Sequence, residues 1–343
     1  MPKRPDPMFD TAVTRMFGTR LPIVAGGLMW LSEATYVAAG ARAGIMSYLT
    51  AASFPEPRAL RAEIAKCRAL ADGHPFGVNV SMLPKLVPGD KVADTFALIA
   101  DEGIRFVETS GRNPAPYLDQ LKDAGITVLH KVPGVRYAVS AQTAGVDMVS
   151  IVGAECGGHP GLELIGSMVN QALAGRRLDI PYLIGGGIGC GSQIIGALAS
   201  GASGVVIGTR FLVAEEIQAH DGYKQALISA GETDTELTMA SVRNTVRTLR
   251  NETTRLVTEL EASSPDIGID DLLPLVSGKI GRKAYETGDV SHGLLSAGQA
   301  LGFTDAIAPL AEIVRALEDE MQHALERLRQ LQTTHGEQGD VRA

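Results

Sequence analysis

The chain is poor in cysteine and has no excess of basic charge, and each shortage excludes a class of function. Only three cysteines occur in 343 residues, Cys67, Cys156 and Cys190. They are widely spaced, with no CxxC pair and no Cys/His zinc spacing, so neither a disulfide framework nor a metal site is expected. Lysine and arginine total 31 against 39 aspartate and glutamate, a net charge of −8. No basic patch offsets phosphate repulsion, which argues against a nucleic-acid partner. No uninterrupted apolar run reaches transmembrane length, and the first residues, MPKRPDPMFD, lack the apolar stretch of a signal peptide. The expectation is a soluble protein of a reducing cytoplasm with no membrane partner.

What the chain has in quantity is apolar residues, 45%, and glycine, 39 residues. Short β-rich runs alternate with helical patterns along the first two thirds. Strands are expected at Pro22–Gly27, Gly44–Leu49, Phe76–Ser81, Arg105–Ser110, Thr127–Val132, Met148–Gly153, Tyr182–Gly187 and Gly204–Thr209. Helices are expected between them, for example Pro57–Ala71, Pro114–Ala124 and Val135–Ala144. Several helical stretches close on glycine (Gly44, Gly103, Gly125, Gly145), as a left-handed cap before the next strand requires. The strands read as continuous apolar runs, the pattern of parallel strands covered on both faces. Eight such units predict an α/β fold, a TIM (β/α)8 barrel, and the chain exceeds the roughly 250 residues typical of one barrel.

Two glycine-rich features stand at expected strand ends. The segment Met148–Gly161, MVSIVGAECGGHPG, passes from a β-branched run into a permissive loop that carries a single imidazole, His159. Downstream, Gly185-Gly186-Gly187-Ile188-Gly189 and GVVIGT (Gly204–Thr209) end two successive strands and lead into helices. Backbone amides at such starts point at an anion, and the loops after strands seven and eight are where a barrel holds phosphate.

The last third reads differently. From Ile217 to Gly288 it is polar and helical with no convincing strand, Thr238–Leu260 being one helical stretch. A C-terminal helical subdomain across the barrel mouth is expected there, and Asp305–Gln332 is expected as a long amphipathic helix. Residues 1–216 and 289–332 would then form the barrel with its closing helix, 217–288 the substrate-side subdomain and 333–343 a disordered tail. Arg243, Arg247, Arg250 and Arg255 are read as a solvated or acid-paired helix face. Apolar faces of the subdomain either cap the barrel or pair two chains in a homodimer.

At these residues the sequence resembles the nitronate monooxygenase family, formerly 2-nitropropane dioxygenases, including the related bacterial NADH:quinone reductases. The resemblance runs in order through PIVAGGLMW, PFGVNVSMLP, GIRFVETSG, LHK, VSIVGAECGGHPG, IGGGIG, VVIGTRF and SAGQ, from Pro22 to Gln299. It implies an FMN barrel. Gly27, Leu28 and Met29 would lie beside the flavin ring, Ser81 and Lys131 at its polar edge or ribityl chain, and Gly158 against it. Gly186, Gly187, Gly208 and Thr209 would hold the phosphate, Ser296 and Gln299 would return to the flavin neighbourhood, and His159 would be the catalytic imidazole. GGHPG carries Pro160 where nitronate oxidisers often have arginine, and Leu162–Gly166 replaces the acidic run of the quinone reductases.

Three activities follow as expectations: oxidation of alkyl nitronates or nitroalkanes with O2, NAD(P)H-dependent reduction of a quinone or an enoyl thioester, and, in another class, a flavin-free phosphate-ligand barrel with Cys156 as nucleophile. A thiol three residues before His159 could be activated by imidazolium.

Overall fold

A computed structural model describes residues 7–82, 91–264 and 266–332. Its centre is a closed barrel of eight parallel strands: β1 (Ile23–Ala25), β2 (Met46–Thr50), β3 (Gly77–Met82), β4 (Phe106–Gly111), β5 (Thr127–Val132), β6 (Met148–Val152), β7 (Tyr182–Gly185) and β8 (Gly204–Ile207). Each pairs with the next, and β8 returns to β1 through Ile23↔Val205 and Ala25↔Ile207. A short helix α1 (Ala12–Phe17) precedes the barrel. Around it lie α2 (Ala34–Arg42), α3 (Pro57–Leu70), α4 (Val92–Asp101), α5 (Leu118–Asp123), α6 (Val135–Ala144), α7 (Ser167–Arg177) and α8 (Gly191–Ala199). The eight expected strands are all present, and the expected glycine caps Gly44, Gly103, Gly125 and Gly145 all take positive φ.

The double-sided burial of the strands explains their unbroken apolar character. Outward side chains such as Ile23, Val107, Val128, Ile151 and Ile184 pack against the helices. Inward ones, Val24, Met46, Tyr48, Phe106, Leu129, Met148, Leu183 and Val206, fill the barrel together with Val13 and Phe17 of α1. Phe17 closes the N-terminal end edge-on against Phe106 and Tyr48, with ring centroids 5.2 and 6.4 Å apart. The polar inward positions therefore gather at the opposite, C-terminal mouth.

Beyond the barrel come α9 (Asp221–Ser229), β9 (Thr235–Thr238), β10 (Val246–Leu249), α10 (Glu252–Ser263), α11 (Ile269–Val276), α12 (Gly278–Thr287) and α13 (Leu310–Leu331). The expected unbroken helix over Thr238–Leu260 is corrected here, because β9 and β10 form an antiparallel hairpin and α10 begins only at Glu252. β-Branched Thr238, Val246 and Thr248 favour the extended form, and the hairpin finds partners on the barrel loops that a lone sequence window does not show. α13 is the expected long amphipathic helix. Its Glu320 accepts the Gly191 amide at the start of α8 (2.6 Å), and its Glu318 pairs with Arg20. The expected tail 333–343 lies outside the described residues.

One buried group makes the fold sensitive to acid. His130, outward on β5 and 2% exposed, shares a 2.8 Å hydrogen bond with Thr109 Oγ1. Burial pushes its pKa down to about 4, although a hydrogen bond with the Thr109 backbone opposes this. The unfolded chain takes up that proton near pH 6.5, so the stability is complete above that value and is lost as pH falls toward 4. From pH 7 to pH 5 the His130 contribution should fall by about 2 kcal/mol. Urea unfolding of His130→Gln at the two pH values should therefore show a smaller loss than the parent; an equal loss would contradict this assignment.

Candidate active site

The mouth of the barrel is organised by a carboxylate that no solvent reaches. Glu108, inward on β4, has 0% exposure. One oxygen, Oε2, accepts the Asn79 side-chain amide at 2.6 Å and the Gly27 backbone N–H at 3.0 Å. The other, Oε1, accepts the Lys131 ammonium at 3.2 Å. Three donors, one of them charged, satisfy an ionised carboxylate in a place where an unpaired one would be prohibitive. The arrangement draws β1, β3, β4 and β5 to a single point. The β1 end comes so close that a Cβ at Gly27 would stand 2.6 Å from both Asn79 Cβ and Cγ, and one at Gly26 would stand 3.4 Å from Glu108 Oε1 and Lys131 Nζ. Burial and the Glu108 charge push the pKa of the Tyr48 hydroxyl, on the same inner wall, well above its ordinary value.

Across the mouth, a second set of contacts ties the histidine loop to the glycine cup. Glu155 presents both carboxylate oxygens to the Ser167 amide, each at 3.0 Å, at the first residue of α7. The Ser167 hydroxyl also lies 2.9 Å from Glu155 Oε2, 2.9 Å from the Gly185 carbonyl and 2.8 Å from the Gly186 carbonyl. Its single hydrogen is shared among three acceptors. Gly186 and Gly187 both take positive φ, and a Cβ at Gly187 would meet Glu155 Cβ at 3.0 Å. By contrast, a Cβ at Gly208 would meet only Leu28 Cδ2, at 3.7 Å, and one at Gly158 only Ser296 Oγ, at 3.9 Å. Bare backbone thus faces open space at two points of the mouth.

The hairpin covers this loop. Gly158 and Arg247 exchange backbone hydrogen bonds of 2.9 and 2.7 Å, and Arg247 Nε donates to the Ala154 carbonyl at 3.1 Å. Arg247 also bonds Thr235 Oγ1, Arg250 pairs with Glu236, and Arg255 pairs with Glu252 and Glu259. The expected arginine helix face is therefore corrected: Arg247 is a half-buried strand residue that clamps the histidine loop. His159 stays exposed beyond the clamp. Desolvation by the surrounding wall lowers its pKa, and a hydrogen bond with Asn244 pulls the other way. Buried Cys156 is pushed up to about 12, chiefly by desolvation, so it is a neutral thiol at physiological pH and not the activated nucleophile considered above.

The sequence-derived positions converge on this mouth to different degrees. Gly27, Lys131, Gly158, His159, Gly186, Gly187 and Gly208 stand on its rim. Leu28 approaches Gly208, while Met29 is 44% exposed with its sulfur 3.9 Å from Ser53 Oγ. Ser81 is bonded to Ser110 (3.0 Å) and Asn79 (3.3 Å). The SAGQ segment does return: Thr209 Oγ1 accepts the Gly298 amide (2.9 Å), the Gln299 amide donates to the Glu155 carbonyl (2.9 Å), and Ser296 bridges to Thr248. The Ser296 and Gln299 side chains are exposed. Sequence reasoning missed Glu108, Glu155, Ser167, Asn244 and Arg247. Glu108 had a usable signal, since a lone acid within a buried strand demands a cationic partner and Lys131 lies on the adjacent strand.

A closed (β/α)8 barrel with its polar and glycine-rich groups at the C-terminal mouth is built as an enzyme of that architecture. The sequence matches the nitronate monooxygenase family over residues 10–320, and the chain belongs to that family and is an oxidoreductase. It is 32% identical over 257 residues, 74% of this chain and 69% of the other, to a Mycobacterium tuberculosis protein named (3aS,4S,5R,7aS)-5-hydroxy-7a-methyl-1-oxo-octahydro-1H-indene-4-carboxyl-CoA dehydrogenase. Among solved structures it resembles FabK from Thermotoga maritima, with 30% identity, TM-score 0.86, and coverage of 94% of this chain and 99% of that one. It also resembles nitroalkane oxidase from Streptomyces ansochromogenes, with 27% identity, TM-score 0.79, and coverage of 93% and 100%. Among the described residues no helix is long and apolar enough to cross a membrane, and no group of acidic, histidine or cysteine side chains could hold a metal ion.

The close approach at Gly27 is testable. Gly27→Ala should destabilise the protein by about 1–3 kcal/mol, the usual range for overpacking, because Asn79 cannot retreat without releasing Glu108. A thermal midpoint equal to that of the parent would show that the β1 end is not held against Asn79.

Proposed function

We propose that the protein is an FMN-dependent nitronate monooxygenase that oxidises alkyl nitronates and nitroalkanes with O2. The observation that carries this reading is His159, an exposed imidazole on a clamped glycine loop with its pKa held below the ordinary value. At neutral pH such a ring is unprotonated and can take the acidic α-proton of a nitroalkane. The residues at the mouth fit FMN. The open backbone at Gly208 and the left-handed turn at Gly186 and Gly187 would receive its phosphate together with Thr209, whose hydroxyl is already engaged by Gly298, leaving its amide for the anion. Gly27, Leu28, Met29 and Gly158 would border the ring, Ser81 and Lys131 its polar edge, and Ser296 and Gln299 the surrounding rim. Bound FMN would supply the electron acceptor.

The chain's own part in the reaction is to position and to move a proton. His159 would accept the α-proton at its free ring nitrogen, and with an existing nitronate it would instead hydrogen-bond the anionic oxygens. The hairpin clamps the backbone of the loop beside the ring, at Gly158 and Ala154. A second reading has one specific support, the relative named as a dehydrogenase of a carboxyl-CoA compound. The same base suits a proton α to a thioester carbonyl, and the reverse direction would be NAD(P)H-dependent reduction of an enoyl thioester; reduction of a quinone would be a separate NAD(P)H-dependent reaction at the same mouth.

Anaerobic mixing separates these readings: bleaching of the flavin by a nitronate but not by NAD(P)H is expected, and the opposite result would favour the reductase. His159→Ala should retain FMN and lose about 100-fold or more in kcat/KM for a neutral nitroalkane, the usual contribution of a general base. The parent's kcat/KM should fall on the acid side with a midpoint below about 6.5, since the base form disappears as pH drops through the lowered pKa. A variant that keeps this acid limb would remove His159 from catalysis. Gly208→Leu should purify with little flavin because its side chain would enter the phosphate's approach; full FMN content would refute the cup.

A further inference from the structure

We propose that Glu108 is the counter-ion of Lys131 and that the two opposed charges together set the redox poise of the bound flavin, Glu108 itself touching no substrate. This rests on the reading that FMN occupies the mouth beside Lys131. The argument is electrostatic. Lys131 is the cation at the end of β5, its side chain 22% exposed while its partner carboxylate is wholly buried. A cation facing the electron-rich edge of a reduced flavin favours reduction. Here the ammonium is offset by a full negative charge 3.2 Å away, on a carboxylate that solvent does not reach, so the pair is only partly screened.

Glu108 also fixes where the ammonium stands, because the same carboxylate is anchored by Gly27 and Asn79 on two other strands. The remaining charged groups near the mouth are engaged elsewhere. Glu155 is held by Ser167, and Arg247 by the Ala154 carbonyl and Thr235. The charge of Lys131 nevertheless reaches across the mouth to Cys156 in the histidine loop, where it opposes the upward push of burial on the thiol. The Glu108–Lys131 pair is therefore a net-neutral device, and removing either member exposes the other's charge to the flavin.

The test uses the FMN-loaded protein and two readouts that need no turnover: the two-electron midpoint potential, and the affinity for sulfite, an anion whose reversible addition bleaches flavin. Glu108→Gln keeps the shape and one acceptor oxygen. It should tighten sulfite binding about tenfold, with a potential raised by about 30 mV for a two-electron couple. Lys131→Met should move both readouts the opposite way, and the double variant should return toward the parent. If Glu108→Gln does not retain FMN, Lys131→Met and the double variant carry the comparison. A double variant identical to Lys131→Met, or a Glu108→Gln protein with parental potential and sulfite affinity, would overturn the counter-ion role while leaving FMN binding intact. A parent protein that retains no FMN would overturn both this role and the reading it rests on.

Discussion

The buried carboxylate of Glu108 is the constraint from which the mouth of the barrel takes its shape. An ion with no solvent contact persists only when hydrogen-bond donors satisfy it, and the three donors to Glu108 come from the end of β1, from β3 and from β5. That requirement accounts for the glycines at the β1 end, since a Cβ at Gly27 would drive into Asn79 and unseat one donor. It also fixes the Lys131 ammonium, which would otherwise swing freely at a strand end. The polar chemistry of the mouth is thus a consequence of one charge placed at the fourth strand and satisfied by three donors.

The fold was legible because the barrel repeats one physical problem eight times. Each strand is buried on both faces, so its apolar run is continuous. Each preceding helix ends where only glycine takes the left-handed turn cheaply, as at Gly125 and Gly145. These are local signals. The β9–β10 hairpin was illegible for the opposite reason: Thr235–Thr238 and Val246–Leu249 owe their extended form to partners far away in sequence, Gly158 and Leu295, and a window of helical-looking residues contains neither.

The candidate site divides along the same line. Gly158, Gly186, Gly187 and Gly208 could be read from the sequence because a residue without a Cβ advertises a close approach or an unusual φ. His159 could be read because it is the sole imidazole of its loop. Side chains that act by holding others could not. Glu155 and Ser167 are twelve residues apart and meet only when α7 presents its first amide to the loop. Arg247 appeared to belong to a charged helix face and instead spends its backbone on Gly158 and its guanidinium on Ala154.

This distribution bears on how the family motif and the activity relate. The loop that carries His159 is fixed at its start by Ser167 through Glu155, at its middle by Arg247, and from behind by Gln299, whose amide takes the Glu155 carbonyl. Two of those three supports lie in the C-terminal third, beyond the last barrel strand. The backbone that carries the imidazole is therefore held from the hairpin and from Gln299 as well as from within the GGHPG segment, and Asn244, whose hydrogen bond opposes the lowering of the ring's pKa, belongs to the hairpin turn. The similar proteins include a nitroalkane oxidase and a protein named as a dehydrogenase of a carboxyl-CoA compound, so on the proposed reading the glycine loop would supply the base and the hairpin its surroundings. Substrate choice in this architecture is accordingly expected to follow changes in the hairpin and in Leu162–Gly166 more closely than changes within the glycine loop itself.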